Sequence, residues 1–507
     1  MERIQAITSL RSTLEWLGDD VKWLAPEVDP VIEATAISKA FDDGPAFVAE
    51  HIKGYPGARY IGNLWTRRER VAKLVGVDDC QDVKHRIIHA VKHSIQPKVV
   101  SDAPVQQVVI PHERLDPFAL FPMVQHTRLD GGRFFGSGVH YISGKWAGGE
   151  TEHASQLSFY RMSFRGNDYA SINMIPGGHG DQIAGRFHKE RIPCTVNLSP
   201  PPMVEMMGMG HLNAAVWPTG EDEIGAAGAL QGSPVEIVRA KTVDAWAIAQ
   251  AEWVIEGYIV PSERVWETEE AERLGRQGEA MLHPEWARYM GRAYRSRKFE
   301  VTAITHRADR PYYYVPRVGT PWVQSPFACA TFFELAQRIA PGLVVDVATY
   351  HAMLTSSGVV FQVKKRRRSD EGLQRNILAA AMGVARGLRM AIAVDEDIDI
   401  HQPEDVLWAI TSRVNPLTDI VHGMPGGAGQ AFQPTDRMAG GRAQASMAAG
   451  GIAIDATLPF GAKEHYVRAR YPVEEVDFTK WFSEAEIRTI RSSQDGYTRF
   501  LAESGLL

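Results

Sequence analysis

Val394 to Ile420 reads VDEDIDIHQPEDVLWAITSRVNPLTDI. The acidic half of this stretch closes a strand-like run, MAIAVDEDIDI (Met390 to Ile400). Two similar runs precede it, GLVVDVAT (Gly342 to Thr349) and GVVFQVKK (Gly358 to Lys365). Apolar helical stretches separate them. Such alternation of strands and helices from about Val323 onward predicts an α/β layer structure. After it comes MPGGAGQAFQPTDRMAGGRAQ (Met424 to Gln444), a long glycine-rich loop of the kind that borders pockets.

Upstream, from Pro111 to Arg307, the texture differs. Short β-rich runs such as FYRMSF (Phe159 to Phe164) and VTAITH (Val301 to His306) alternate with glycine turns. Helical stretches are expected around Gly180 to Arg191 and Thr242 to Ile255. This predicts a β-barrel-like domain with attached helices. The first hundred residues read as a small α/β unit. Ile7 to Leu17 and Pro30 to Phe41 have helical apolar spacing, and Thr66 to Leu74 is a charged amphipathic helix. Between them, GPAFVAEHIKGYPGARYIGNLW (Gly44 to Trp65) reads as two strands joined by a Gly-Tyr-Pro-Gly turn. The expected domains are 1–110, 111–310 and 323–507.

A chain of 507 residues is too long for one ordinary core. A hydrophobic fraction of 44% and a charged fraction of 23% are those of a globular protein. The net charge of -6 argues against nucleic acid as a partner. Cys80, Cys194 and Cys329 are too scattered for a disulfide framework or zinc site, and read as buried thiols in a reducing cytosol. No window approaches the roughly 18 apolar residues of a membrane span, and the N-terminus has no cleavable signal pattern. The sequence reading is therefore cytoplasmic, with no membrane partner.

Three groups of residues can carry chemistry. Gln156, His179 and Glu223 offer an amide oxygen, an imidazole and a carboxylate, a donor set suited to Mg2+ or Mn2+ at a phosphorylated cofactor. Their spacing alone favours three unrelated polar residues. Arg161 could bind a carboxylate through its fork while Glu285 supplies a proton, with Arg288 and Arg292 nearby. The segment around Glu285 also fits an exposed helix start. The run KKRRRSDE (Lys364 to Glu371) reads as a solvated loop, and PGGHG (Pro176 to Gly180) is a weak phosphate-loop signal.

The 394–420 stretch closely resembles the signature of the UbiD family of decarboxylases: an acidic V-D-x-D-I-D run, D-V-L-W-A, then a T-R-x-x-P turn. Other blocks agree in order, among them Gly44 to Trp65, DEIGAAGALQGSPVEIVRAKT (Asp222 to Thr242) and AEWVIEGYIVP (Ala251 to Pro261). VKKRRRSDEG resembles the loop before the C-terminal helices, and the nearest branch acts on hydroxylated benzoates. The resemblance implies an N-terminal α/β domain, a central flavin-binding split β-barrel and a C-terminal α/β domain that mediates dimerisation. It implies prenylated FMN, Mn2+ or Mg2+ and K+ as cofactors, and a flavin prenyltransferase as supplier. Homodimers, sometimes assembled into hexamers, are the implied state, and the activity is reversible non-oxidative decarboxylation of an aromatic acid.

Carried over by position, Arg161 is similar to the family arginine beside flavin and substrate carboxylate. Gln156, His179 and Glu223 are similar to the ligands of the metal at the cofactor phosphate, although Gln156 stands where Asn or Asp is usual. Ser158, Phe159 and Tyr160 fall on the strand along the flavin, and Gly178 adjoins it. Glu285 matches a glutamate of the family's Glu-Arg-Glu network and is the expected proton donor. Where a second glutamate follows in relatives, this chain has Arg292. That implies a network reduced to Arg161 and Glu285, a substitute such as Glu279, or an Arg292 that binds a second anionic group. Met424 and Gly426 align with bulkier pocket residues, which implies a roomier, fused-ring substrate site. The competing readings are an oxidoreductase using ordinary FMN and a non-catalytic assembly subunit.

Overall fold

The structure is a computed structural model, and it describes residues 7–149, 154–210, 212–213, 216–217, 222–316, 320–355, 357–385, 387–422, 451–469 and 475–487. Met424, Gly426 and the glycine-rich loop that carries them lie outside the described residues. The chain divides into two compact units, one of residues 1–330 with 428–447, the other of 331–427 with 448–507.

In the first unit, helices Leu10–Leu17, Glu33–Ala40 and Arg68–Val75 surround a four-stranded sheet. Its order is Val21–Leu24, Ala46–Ala49, Arg59–Gly62 and Tyr312–Tyr314. The second and third of these strands are the antiparallel pair expected from Gly44 to Trp65.

The larger sheet of this unit positions the candidate site. Its ladder runs Ser155–Phe159, Gly138–Ser143, Ile192–Leu198, Trp253–Trp266, Arg295–His306, Tyr169–Asn173 and Arg161–Phe164, with Val108–Pro111 added beside Arg295–His306. Every pairing in it is antiparallel. The first and last strands of that order are neighbours in sequence, separated only by Tyr160. The sheet must therefore curl until its two edges stand one residue apart. Bulges where Trp253–Trp266 meets Arg295–His306, at Glu256/Gly257 and Val260/Arg264, supply the bend. FYRMSF is thus two strands rather than one.

Thr242 to Ile255 is not helical, contrary to expectation. Trp246–Ile248 is a strand paired with Glu236–Arg239, and Trp253 already lies opposite Leu198. The alanines at 245, 247, 249 and 251 follow a period of two, and alanine's helix propensity yields to pairing. The buried Glu256 carboxylate accepts the backbone N–H groups of Lys241 and Thr242, which locks this segment in a turn. The other expected helix runs His179–Arg186 and stops short of Arg191.

The second unit carries a five-stranded sheet ordered Val344–Ala348, Gly358–Val363, Met390–Asp395, Ile452–Ala456 and Ile420–His422. Its three middle strands are parallel, with helices Leu373–Val384 and Pro403–Arg413 following two of them. The acidic run begins where Met390–Asp395 ends. Arg413 reaches back to Asp395 at 3.0 Å and Asp397 at 2.6 Å, and Lys463 pairs with Asp395 at 3.2 Å. Lys365 in the basic run is not solvated. Its ammonium is buried against Glu371, Thr457 and the Leu458 carbonyl. Cys194 and Cys329 are buried and Cys80 half-buried, and none of the three is in a disulfide. Among the described residues no helix is long and apolar enough to cross a membrane.

Candidate active site

Two clusters flank the seam of the curled sheet. The first centres on Arg161, the opening residue of its strand and the register partner of Asn173. Glu267 follows the long Trp253–Trp266 strand directly, just before Thr268 caps the helix Glu269–Leu274. It grips the arginine fork from Nε at 2.8 Å and Nη2 at 2.7 Å. The Tyr294 N–H and the Asn173 amide also donate to Glu267, whose side chain is fully buried. Arg161 Nη2 also donates to the Arg292 carbonyl at 3.0 Å, and Nη1 donates to Glu285 Oε1 at 2.8 Å.

A guanidinium has five N–H donors. Four are engaged here, so among the described residues one N–H on Nη1, beside Glu285, has no partner. The bidentate clamp on a substrate carboxylate expected from sequence is therefore already occupied by Glu267. The expected reduced network is also corrected, because Arg161 holds two carboxylates.

Glu285 sits on the turn between strands Met281–Pro284 and Met290–Arg292. Its N–H donates to the Tyr289 carbonyl and its own carbonyl accepts from Arg288 N–H, with Arg288 at φ 64°. Gly291 makes room for it, since a Cβ there would lie 2.7 Å from Glu285 Oε1 and 2.9 Å from the His283 carbonyl. Burial raises the Glu285 pKa, Arg161 opposes that rise, and Glu267 adds to it. The buried His283 is pushed down to about 3 by burial and then by the charge of Arg161, so it stays neutral. Arg292 does not offer its guanidinium to this cluster. It donates to the Glu279 carbonyl at 2.8 Å, and the Glu279 carboxylate faces Arg276 at 3.6 Å. Glu279 is therefore no substitute for the missing glutamate. Arg288 is exposed on the turn.

Glu267 escaped the sequence reading because it stands with Glu269, Glu270 and Glu272 at a helix start, where acidic residues are ordinary. The available signal was its place as the first residue past a long, apolar strand.

The second cluster holds Gln156, Tyr160 and Glu223, and the helix that His179 opens adjoins it where Gly180 meets the Tyr160 hydroxyl. Strand Ser155–Phe159 and helix Glu223–Gln231 are stapled together: Ser155 Oγ accepts from Ile224 N–H and donates to Asp222, while Leu157 N–H donates to Glu223. Burial pushes Glu223 up to about 8, with the Leu157 bond opposing and Asp222 adding. Gln156 Oε1 is buried with no hydrogen-bond partner among the described residues. His179 opens helix His179–Arg186 behind Gly178, and burial, then Arg186, lowers its pKa. The Tyr160 hydroxyl links the groups. A Cβ at Gly180 would lie 1.9 Å from it, and burial raises its pKa, with hydrogen bonds to Ser158 and Gln156 opposing that rise and the charges of Glu223 and Cys194 adding to it. Phe159 is half-buried, packing where Gly208 leaves space.

An unpartnered buried carbonyl oxygen beside a carboxylate that burial holds neutral is a fit for a cation, which would satisfy the first and ionise the second. Among the described residues no three His, Cys, Asp or Glu side chains gather as a metal site. A cation here would take the Gln156 amide oxygen as one of its protein ligands.

Three family models match the chain consecutively: the N-terminal domain of 3-octaprenyl-4-hydroxybenzoate carboxy-lyase over residues 19–87, its Rift-related domain over 98–321 and its C-terminal domain over 322–456. Gallate decarboxylase of Lactiplantibacillus plantarum is 28% identical over 497 residues, covering 91% of this chain and 96% of the relative. The apo structure of a 3,4-dihydroxybenzoic acid decarboxylase from Enterobacter cloacae superposes with TM-score 0.79 at 27% identity, covering 95% of this chain and 100% of that one. An evolved dimeric form of the UbiD-class enzyme HmfF from Pelotomaculum thermopropionicum, in complex with prFMN, shares the fold with TM-score 0.75 at 23% identity, over 94% of this chain and 100% of that one.

Proposed function

The chain belongs to the UbiD carboxy-lyase family, and from that premise we propose that it reversibly removes CO2 from an aromatic or heteroaromatic acid with prenylated FMN as cofactor. Its gallate and 3,4-dihydroxybenzoic acid relatives support hydroxylated benzoates as first substrates. The observation that carries the reading is a buried arginine held between two carboxylates, only one of which is fully occupied.

Prenylated FMN, when bound, supplies the electron-accepting framework that takes up the pair left as CO2 departs. Gln156, His179 and Glu223 are the residues that would hold Mn2+ or Mg2+ at its phosphate, with Ser158, Phe159, Tyr160 and Gly178 beside it. K+ enters the proposal from the family resemblance alone, without an assigned residue.

The remaining work belongs to the chain. The last Arg161 N–H hydrogen-bonds the substrate carboxylate. Glu267 fixes the guanidinium and cancels its charge. Glu285, whose pKa burial raises, delivers a proton to the ring carbon that the carboxylate leaves, so that the acid anion plus one proton becomes arene plus CO2. It is reprotonated from solvent, and the same carboxylate accepts that proton in the carboxylation direction.

The test is the mass and visible spectrum of ligand released from protein co-expressed with a flavin prenyltransferase. Prenylated FMN supports the proposal. Plain FMN despite a working prenyltransferase moves the reading to the oxidoreductase, and no flavin moves it to a non-catalytic subunit.

A further inference from the structure

Helix Val83–Lys92 buries Val83, Lys84, Ile87, Ala90 and Val91 on one face. His85, His89 and His93 fall four residues apart along its other, exposed face. His93 is the C-cap, and its N–H donates to the His89 carbonyl at 2.9 Å. The rings of His89 and His93 have centroids 4.5 Å apart and planes inclined by 44°. Neither ring has a carboxylate partner among the described residues.

That spacing matches a chelate. An imidazole nitrogen sits about 2.0–2.1 Å from a bound dication, which puts each ring centroid about 3.2 Å from it. Two rings at a right angle about one ion then have centroids about 4.5 Å apart, and about 5.2 Å at a tetrahedral angle. The observed 4.5 Å separation equals the right-angled value and also lies in the ordinary range of aromatic contacts, so the rings can meet one ion without moving apart. Right-angled pairs belong to square-planar and octahedral ions, and imidazole is a ligand such ions favour.

We propose that His89 and His93 form a two-imidazole site for a borderline transition-metal dication, Cu2+ or Ni2+ in preference to tetrahedral Zn2+, with water completing the shell. The site is separate from the Gln156, His179 and Glu223 cluster and uses none of its residues. Its ion joins the last helical turn to the cap. From there the chain runs directly into Ser94 to Gln96, which packs on the start of helix Glu223–Gln231 through the Ile95 N–H to Gly225 carbonyl bond and the Gln96 to Asp222 bond. Metal at the histidine pair therefore also steadies the backbone beside Glu223.

The experiment is calorimetric titration of the full-length, EDTA-stripped protein, without a polyhistidine tag, with NiCl2 and separately with ZnCl2. The variants are His89→Ala, His93→Ala and, as a control at the other cluster, His179→Ala. Both helix positions are exposed, so these variants fold. One Ni2+ equivalent that depends on His89 and His93 is expected in the unaltered protein, bound more tightly than Zn2+ and counted apart from any equivalent that His179→Ala removes. Loss of either imidazole weakens it by at least about 100-fold, since changes outside the ligand shell alone cost 10–100-fold. His179→Ala leaves that equivalent in place. Absence of Ni2+ binding, its survival in both helix variants, or its loss in His179→Ala alone overturns the proposal. His85→Ala reads whether a third imidazole joins, and tighter Zn2+ than Ni2+ binding contradicts the right-angled geometry.

Discussion

Arg161 and its two carboxylates divide labour by burial. Glu267 accepts four hydrogen bonds and is fully enclosed, so it serves as the fixed counter-charge. Glu285 accepts one from Arg161 and keeps capacity for a proton. Glu285→Gln therefore lowers turnover by about 10²–10⁴-fold while cofactor remains bound, read from single-turnover kinetics and the bound-flavin spectrum. Glu267→Gln acts in another way. With Arg161 no longer neutralised, its charge favours ionised Glu285 and lowers that pKa. An acid catalyst fails as pH rises through its pKa, so the alkaline limb of the kcat profile moves to lower pH. A limb left in place would contradict the role given to Glu267. Arg161 and Glu285 were singled out as a site only through the family resemblance, since the charged residues around Glu285 alone read as a solvated helix start. Glu267 was not singled out, since its meaning depends on which strand its neighbour ends. Arg292 misled for a related reason: its backbone carbonyl, which no sequence pattern marks, is what it gives to Arg161.

At the scale of elements, the candidate site follows from a sheet that brings its own first and last strands within one residue. Tyr160 is the joint, and the pattern FYRMSF conceals it because both halves are apolar enough to be one strand. The alternating strands of the second unit were readable because each is a compact apolar run bounded by turns. The 242–255 segment was misread because regularly spaced alanines satisfy both helix propensity and strand alternation, and only pairing with a neighbour decides. The hairpin that carries Glu285 is equally dependent on close approach. Gly291→Ala would press a methyl against Glu285 and against a backbone carbonyl that cannot swing aside. Its expected effect is a loss of turnover with a stability cost of about 1–3 kcal/mol. A variant with unchanged kcat would show that Glu285 is free to move.

Across the molecule, the acidic run that resembles the family signature is held by ion pairs within the second unit. Arg413, nearly buried, holds the fully buried Asp395 and the partly exposed Asp397 together. Arg413→Ala leaves the buried Asp395 carboxylate with Lys463 as its remaining cationic partner, and a cost below the roughly 3–5 kcal/mol of a fully unpaired buried charge is expected in denaturant unfolding of this unit. Cofactor content of whatever protein remains folded should be unaltered. The chemistry is assigned to the first unit, whose Arg161 and Glu285 make a claim that can be read on the product itself. The most direct measurement is NMR of hydroxylated benzoic acids incubated in D2O with protein co-expressed with a flavin prenyltransferase. The account predicts CO2 release with one deuteron at the carbon that carried the carboxylate, and loss of both in Glu285→Gln. Intact acid in the presence of protein loaded with prenylated FMN, or decarboxylation that persists undiminished in Glu285→Gln, would contradict it.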